Sequence, residues 1–207
     1  MIIAVSGNIG AGKTTLVSQL SVALGYRAEY EAVVDNPYLH LFYKDMKRWS
    51  FPLQVFFLSH RFKQGLSIKG EAKGVILDRT IYEDAHVFAK NLHQTGLMTD
   101  IDYQTYKGLY DNLEELIPKP DLLIYLNASP TKLSERVGHR IATGERDFEG
   151  KIPVDYLKEL NLRYTEWIGS YQHSPLIEVD VDQVDLADES EIEKLLKTIK
   201  NHKDAKF

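Results

Sequence analysis

The sequence predicts an α/β fold: a parallel β-sheet wound with helices on both faces. Two observations carry this. Short runs rich in Val, Ile and Leu alternate with longer stretches of helical periodicity, as in sheets buried on both sides. The first run, MIIAVS, opens directly into GNIGAGKT, residues 7–14, a glycine-rich turn that leads into a helical pattern.

The expected strands are IIAVS (2–6), GVILD (74–78), DLLIYLN (121–127) and PLIEVD (175–180), with RAEYEAV (27–33) as a weaker fifth. Helices are expected over Thr14–Leu24, Phe51–Ile68, Tyr82–His93, Asp102–Leu116, Thr131–Arg140, Val154–Tyr171 and Glu189–Lys200. Gly25 suits the left-handed end of the first helix. Leu53, Phe56, Phe57, His60 and Gln64 recur at helical spacing. No linker rich in Pro, Gly or Ser divides the chain, so residues 1–207 read as one domain, with the polar stretch 140–151 as a surface loop.

A net charge of −5 argues against broad electrostatic binding to nucleic acid or an anionic membrane. The chain has no cysteine, which excludes thiolate chemistry and suits a reducing cytoplasm. The N-terminal apolar run is too short for a signal peptide or a membrane span.

In a parallel sheet, ligands bind beyond the carboxyl ends of the strands. Gly7, Asn8, Gly10, Ala11, Gly12, Lys13, Thr14 and Thr15 sit there. Glycines let backbone N–H groups converge on an anion, and the helix N-terminus adds partial positive charge. The spacing Gly-x-x-x-x-Gly-Lys-Thr is that of a P-loop: Lys13 reaches the β- and γ-phosphates, and the Thr14 hydroxyl binds Mg²⁺. The competing reading, a bare strand–helix turn, does not need the lysine and the hydroxyl. ATP with Mg²⁺ is the expected cofactor.

Four further groups fall near that edge. Glu31, at the end of the second strand, could accept a proton from an attacking hydroxyl, or be a solvated charge. Asp78 and Arg79 end the third strand, either beside the metal and phosphates or as a structural salt bridge. Arg136, Arg140 and Arg146 either close over ATP or form an exposed basic face. Gln54 and Arg61, seven residues apart, share a helix face, and an amide beside aromatics suits a nucleobase. Phe56 and Phe57 read as packing residues.

Together these residues, with NPYL, RWSFPLQ, DRTIYEDAHVFAKN and the arginine-rich lid at about 136–151, resemble the deoxynucleoside kinase family, closest to its bacterial deoxyadenosine branch. The resemblance covers nearly the whole chain. It implies a P-loop kinase fold with a five-stranded parallel sheet, and transfer of a phosphoryl group from ATP to the 5′-hydroxyl of deoxyadenosine, deoxycytidine or deoxyguanosine. By resemblance, Glu31 is the general base, Arg79 positions the hydroxyl and the phosphoryl group, and Asp78 is the acidic residue on the Mg²⁺ side. Tyr43 and Glu149 resemble the pair on the 3′-hydroxyl, and Gln54 the base-reading amide. Arg61 and Asp84 resemble the charged pair at the base, and Phe88 the aromatic that stacks on it. Arg136, Arg140 and Arg146 resemble lid arginines, and Asp182 falls on the ATP side. A homodimer through helices near 51–68 and 82–116 is implied as well. The lid departs from the family's compact Arg-Gly-Arg, with five residues between Arg140 and Arg146, so Arg146 and Glu149 are aligned backwards from Ile152-Pro153.

A nucleoside monophosphate kinase of the thymidylate kinase type is the main alternative. It needs arginines for an acceptor phosphate where this chain has Glu31, and a carboxylate suits a neutral hydroxyl. A guanine-nucleotide switch would need Asn-Lys-x-Asp, which is absent.

Overall fold

The computed structural model of the protein describes residues 1–31, 36–143 and 152–204. The strands β1 (Ile2–Gly7), β2 (Arg27–Glu29), β3 (Val75–Asp78), β4 (Leu122–Asn127) and β5 (Leu176–Asp180) form one sheet in the order β2-β3-β1-β4-β5. All neighbouring pairs are parallel; Ile3 of β1 lies in register with Ile76 on one side and Leu122 on the other. Chain order reverses at β1, so the crevice beyond its carboxyl end is the expected ligand site.

Side-chain alternation divides the core between the two faces. Ile3, Val5 and Ile124 pack with α1 (Lys13–Leu24), α7 (Pro130–Ala142) and α9 (Glu189–Asp204), through Leu16, Leu20, Leu133 and Leu195. Ala4, Leu123 and Tyr125 pack on the other side with α3 (Met46–Ser67), α6 (Asp100–Glu114) and α8 (Val154–Ser170), through Leu58, Tyr106 and Tyr164. Each face is covered by helices, which is why the central strands β1, β3 and β4 are almost continuously apolar.

The structure departs from the sequence expectation in four places. The weak second strand stops at Glu29, so Glu31 stands two residues beyond it rather than at its end. A four-residue helix, α2 (Leu39–Phe42), is too short to show a period. The helix expected from Phe51 begins at Met46, where the Asp45 carboxylate accepts from Arg48 N at 3.0 Å; Pro52 thus lies inside it instead of opening it. The helix expected over 82–93 is α4 (Ile81–Glu83), a π-helical segment (Asp84–Ala89) and α5 (Lys90–Gln94). Such wide turns recur at functional sites, and this one carries Asp84 and Phe88.

Candidate active site

The P-loop bends back on itself because its glycines take conformations that other residues resist. Gly7, Gly10 and Gly12 have φ of 149°, 88° and 101°. A Cβ on Gly7 would stand 2.8 Å from the Leu126 carbonyl oxygen, so no side chain fits there. The Asn8 side chain serves the loop itself: its Oδ1 accepts from Ile9 N at 2.8 Å, and its Nδ2 donates to Asn161 Oδ1 and the Leu157 carbonyl of α8. Ala11 is fully buried, and the loop's outer carbonyl at Ala11 accepts from Arg136 Nη1 at 2.8 Å.

Lys13 is buried, and its Nζ donates to the Asn8 carbonyl at 2.9 Å. Burial, reinforced by the Arg79 guanidinium, lowers its pKa to about 7. Thr14 Oγ1 donates to Asp78 Oδ2 at 2.6 Å. Asp78 Oδ1 is buried with no hydrogen-bond partner. A hydroxyl and a carboxylate with a spare oxygen suit a hard cation such as Mg²⁺. Thr15 borders the same cleft.

The cleft, of about 270 Å³, runs from the P-loop to α3. At its middle Glu31 Oε1 lies 2.9 Å from Arg79 Nε and 3.2 Å from Arg61 Nη2. Arg79 is a non-glycine residue at φ 74°, a strained conformation placed where β3 ends. Its guanidinium lies over the Phe88 ring, 4.7 Å from the centroid. At the far end are Gln54, Arg61 and Asp84, each less than 5% exposed. Gln54 Oε1 has no hydrogen-bond partner. Arg61 Nε lies 3.5 Å from Asp84 Oδ2, and its Nη1 donates to the Asp78 carbonyl at 2.8 Å. Burial raises the Asp84 carboxyl to about 7, with Arg61 opposing and Glu31 and Glu83 adding to the rise.

Leu53, Phe57, Phe88, Tyr43 and Tyr156 wall this end. Phe57 therefore borders the cleft rather than only packing, whereas Phe56 packs edge-on against Tyr38 at 6.0 Å. Arg140 borders the cleft and the groove beside it, where Gly10, Arg136, His139 and Asp185 meet. Asp182 faces elsewhere, accepting from Ser129 N at 3.0 Å at the start of α7; Asp185 and Leu186 of the same loop border the groove instead. Arg146 and Glu149 lie outside the described residues.

Sequence reasoning missed Glu83 and Tyr164, both fully buried beside Arg79. Glu83 was readable as the last residue of Thr80-Ile-Tyr-Glu83, a capping box that the structure forms. Nothing in the sequence singled out Tyr164 from the other aromatics of α8.

A P-loop lysine, a hydroxyl–carboxylate pair and a carboxylate–arginine pair thus line one cleft that ends in an amide and aromatics. The model of the deoxynucleoside kinase family matches residues 3–203. The chain belongs to the deoxynucleoside kinase family. It is 38% identical over 201 residues to the deoxyadenosine/deoxycytidine kinase of Bacillus subtilis, covering 96% of this chain and 91% of that one. It is 44% identical over 179 residues to the deoxyadenosine kinase of Dictyostelium discoideum, covering 86% and 71%. The solved deoxyadenosine kinase of M. mycoides superposes with a TM-score of 0.85 at 32% identity, covering 97% of this chain and 100% of that one. This kinase therefore phosphorylates nucleosides, and the thymidylate kinase alternative is not favoured.

Proposed function

We propose that this kinase transfers the γ-phosphoryl group of ATP to the 5′-hydroxyl of deoxyadenosine and deoxycytidine, with Mg²⁺. The observation that carries the reading is the Glu31–Arg79 pair, 2.9 Å apart in the cleft between the P-loop and the Gln54 end. Glu31 takes the proton of the 5′-hydroxyl as its oxygen attacks the γ-phosphorus. The new O–P bond forms as the bond to the bridging oxygen breaks, and ADP leaves. Lys13 and Arg79 stabilise the charge on the transferring group, and most of the catalysis is positioning and electrostatics. Thr14 and Asp78 would hold Mg²⁺, which supplies charge neutralisation at the phosphates.

The Gln54 amide and the Arg61–Asp84 pair bordering the cleft support a base other than thymine. The relatives, named deoxyadenosine, deoxycytidine and deoxyguanosine kinases, support this range of bases, and the M. mycoides enzyme, solved with dATP and with dCTP bound, supports the first two. The homodimer belongs to the proposal too. Leu66 of α3, Ile101 and Leu109 of α6 and Leu116 just beyond it are 41–81% exposed, an apolar set that a second copy would cover. A cytoplasmic location, where ATP is at hand, is part of the same proposal. Among the described residues no helix is long and apolar enough to cross a membrane.

The test is phosphorylation of the four deoxynucleosides and adenosine, with Mg²⁺ and with EDTA. The expected order of kcat/KM puts deoxyadenosine and deoxycytidine first, with thymidine negligible and no turnover in EDTA. Equal turnover of thymidine or adenosine would refute the base and sugar assignments.

A further inference from the structure

Arg79 is held from a side that the substrate does not reach. Its Nη1 donates to the Gly7 carbonyl at 3.1 Å, to Tyr164 Oη at 2.6 Å and to Glu83 Oε1 at 3.3 Å. Tyr164 Oη in turn lies 2.8 Å from both the Gly7 carbonyl and Glu83 Oε1, so its one proton serves either. Glu83 Oε1 accepts from Gly7 N at 3.3 Å, and its Oε2 accepts from Thr80 N at 2.9 Å. Both N–H and C=O of the first P-loop glycine are therefore tied to the groups that tie Arg79. Glu83 and Tyr164 are 0% exposed. Burial pushes the Tyr164 hydroxyl above its ordinary pKa, so it stays a protonated donor.

A buried carboxylate and a buried hydroxyl are costly unless fully bonded, and here both are. Their bonds converge on a strained arginine and on Gly7, where a Cβ would stand 2.8 Å from a backbone oxygen. Packing alone does not need that convergence: the neighbouring aromatics Tyr125 and Trp167 pack against Tyr164 through its ring, and phenylalanine would serve as well. The bonds and the ion pair with Glu31 engage Nη1 and Nε, and among the described residues no bond to Nη2 is seen. That leaves Nη2 to meet a reacting oxygen.

We infer that Tyr164 and Glu83 are positioning residues for phosphoryl transfer: through the Gly7 peptide they lock the Arg79 guanidinium in register with the P-loop. The inference rests on Arg79 as the arginine at the transferring group.

The test compares Tyr164→Phe, Glu83→Gln, Arg79→Lys and the double variant Tyr164→Phe/Arg79→Lys in the full-length enzyme. Readouts are kcat and KM for deoxyadenosine, at a temperature well below each melting point, with Tm measured alongside. Misplacing a reacting group by about 1 Å costs about 10²-fold, so Tyr164→Phe is expected to lower kcat about tenfold to a hundredfold, with KM within about threefold. Glu83→Gln, which keeps the shape but not the charge, should do likewise. The double variant should be no slower than Arg79→Lys alone, because a mispositioned lysine has no register left to lose. A Tyr164→Phe enzyme with kcat within about twofold of wild type overturns the inference. So does a loss that adds in full to that of Arg79→Lys, or a fall in Tm with no fall in kcat. Wild-type turnover in Arg79→Lys would instead overturn the role given to Arg79 itself.

Discussion

Arg79 Nε stands 2.9 Å from Glu31 Oε1, and Arg61 Nη2 approaches the same oxygen at 3.2 Å. The proposed base is therefore held between Arg79, proposed for the phosphoryl group, and Arg61, proposed for the nucleobase. Two guanidiniums fix where its carboxylate points, so the carboxylate proposed to accept the proton is oriented before substrate arrives.

Glu31→Gln keeps the size of the side chain and removes the proton acceptor. Loss of a general base costs about 10²–10⁴-fold, and kcat is expected to fall by that much with KM for deoxynucleoside little changed. Steady-state kinetics separate the two. A change confined to KM would assign Glu31 to substrate binding alone.

Asp78→Asn addresses the metal. Thr14 Oγ1 already donates to Asp78 Oδ2, and Oδ1 is the spare oxygen. An amide in its place offers a weaker ligand to a hard cation. The Mg²⁺ concentration for half-maximal rate should rise at least about tenfold, as a titration of activity with Mg²⁺ would read. An unchanged titration would remove Asp78 from the metal site.

Lys13→Met should abolish turnover and yet raise the melting temperature of the ligand-free protein at pH 6. In the folded chain, burial holds the Lys13 pKa at about 7, against 10.5 for a free lysine. Below pH 7 the folded state carries the full cost of that buried charge. Between pH 7 and 10.5 the folded state binds fewer protons than the unfolded one, so wild-type stability gains from this group as pH rises. The Tm advantage of the variant, expected to be several degrees at pH 6, should shrink by pH 9. Melting curves at the two pH values test this; a variant less stable at pH 6 would refute it.

Sequence reading reached the parallel sheet because the central strands, buried on both faces, keep their polar residues to the carboxyl ends. β2 was weak because it is short and its three residues are only half buried. The P-loop was legible because its glycines and lysine are demanded by backbone geometry and charge at fixed spacing. Asp78 and Arg79 followed from their place at a strand end. The π-helical segment was not legible: inserting a wider turn changes hydrogen bonding without changing composition. Tyr164 was hidden for another reason. It sits 85 residues from Arg79 in the chain, and only the docking of α8 against β1 brings the two together.

The last prediction concerns the buried pair at the base end. Asp84 is 3% exposed, and Arg61 is its near countercharge at 3.5 Å. The two partners are not equivalent. Arg61 also holds the Asp78 carbonyl at 2.8 Å and Glu31 at 3.2 Å, so losing it disturbs the proposed metal ligand and the proposed base as well. Losing Asp84 leaves Arg61 with those partners and with Gln64 Oε1 at 3.3 Å. Arg61→Met should therefore reduce kcat/KM for deoxyadenosine more than Asp84→Ala does, and should reduce kcat as well. In Arg61→Met the Asp84 carboxyl, already raised to about 7 by burial, loses the guanidinium that opposes the rise and is left as a buried acid without its partner, which is costly. Adding Asp84→Ala removes that unpartnered group, so the double variant should lose less than the sum of the singles, by about 0.5–3 kcal/mol. It also removes the polar demand at the base edge and opens room for the thymine methyl. The ratio of thymidine to deoxyadenosine kcat/KM should then rise in the double variant above either single, even though its absolute rate stays below wild type because Glu31 has lost one of its two guides. The measurement is kcat/KM on both nucleosides across the four proteins. Additive effects would show that Arg61 and Asp84 do not act as a pair, and an unchanged ratio would place base selection in Gln54 and the aromatic walls instead.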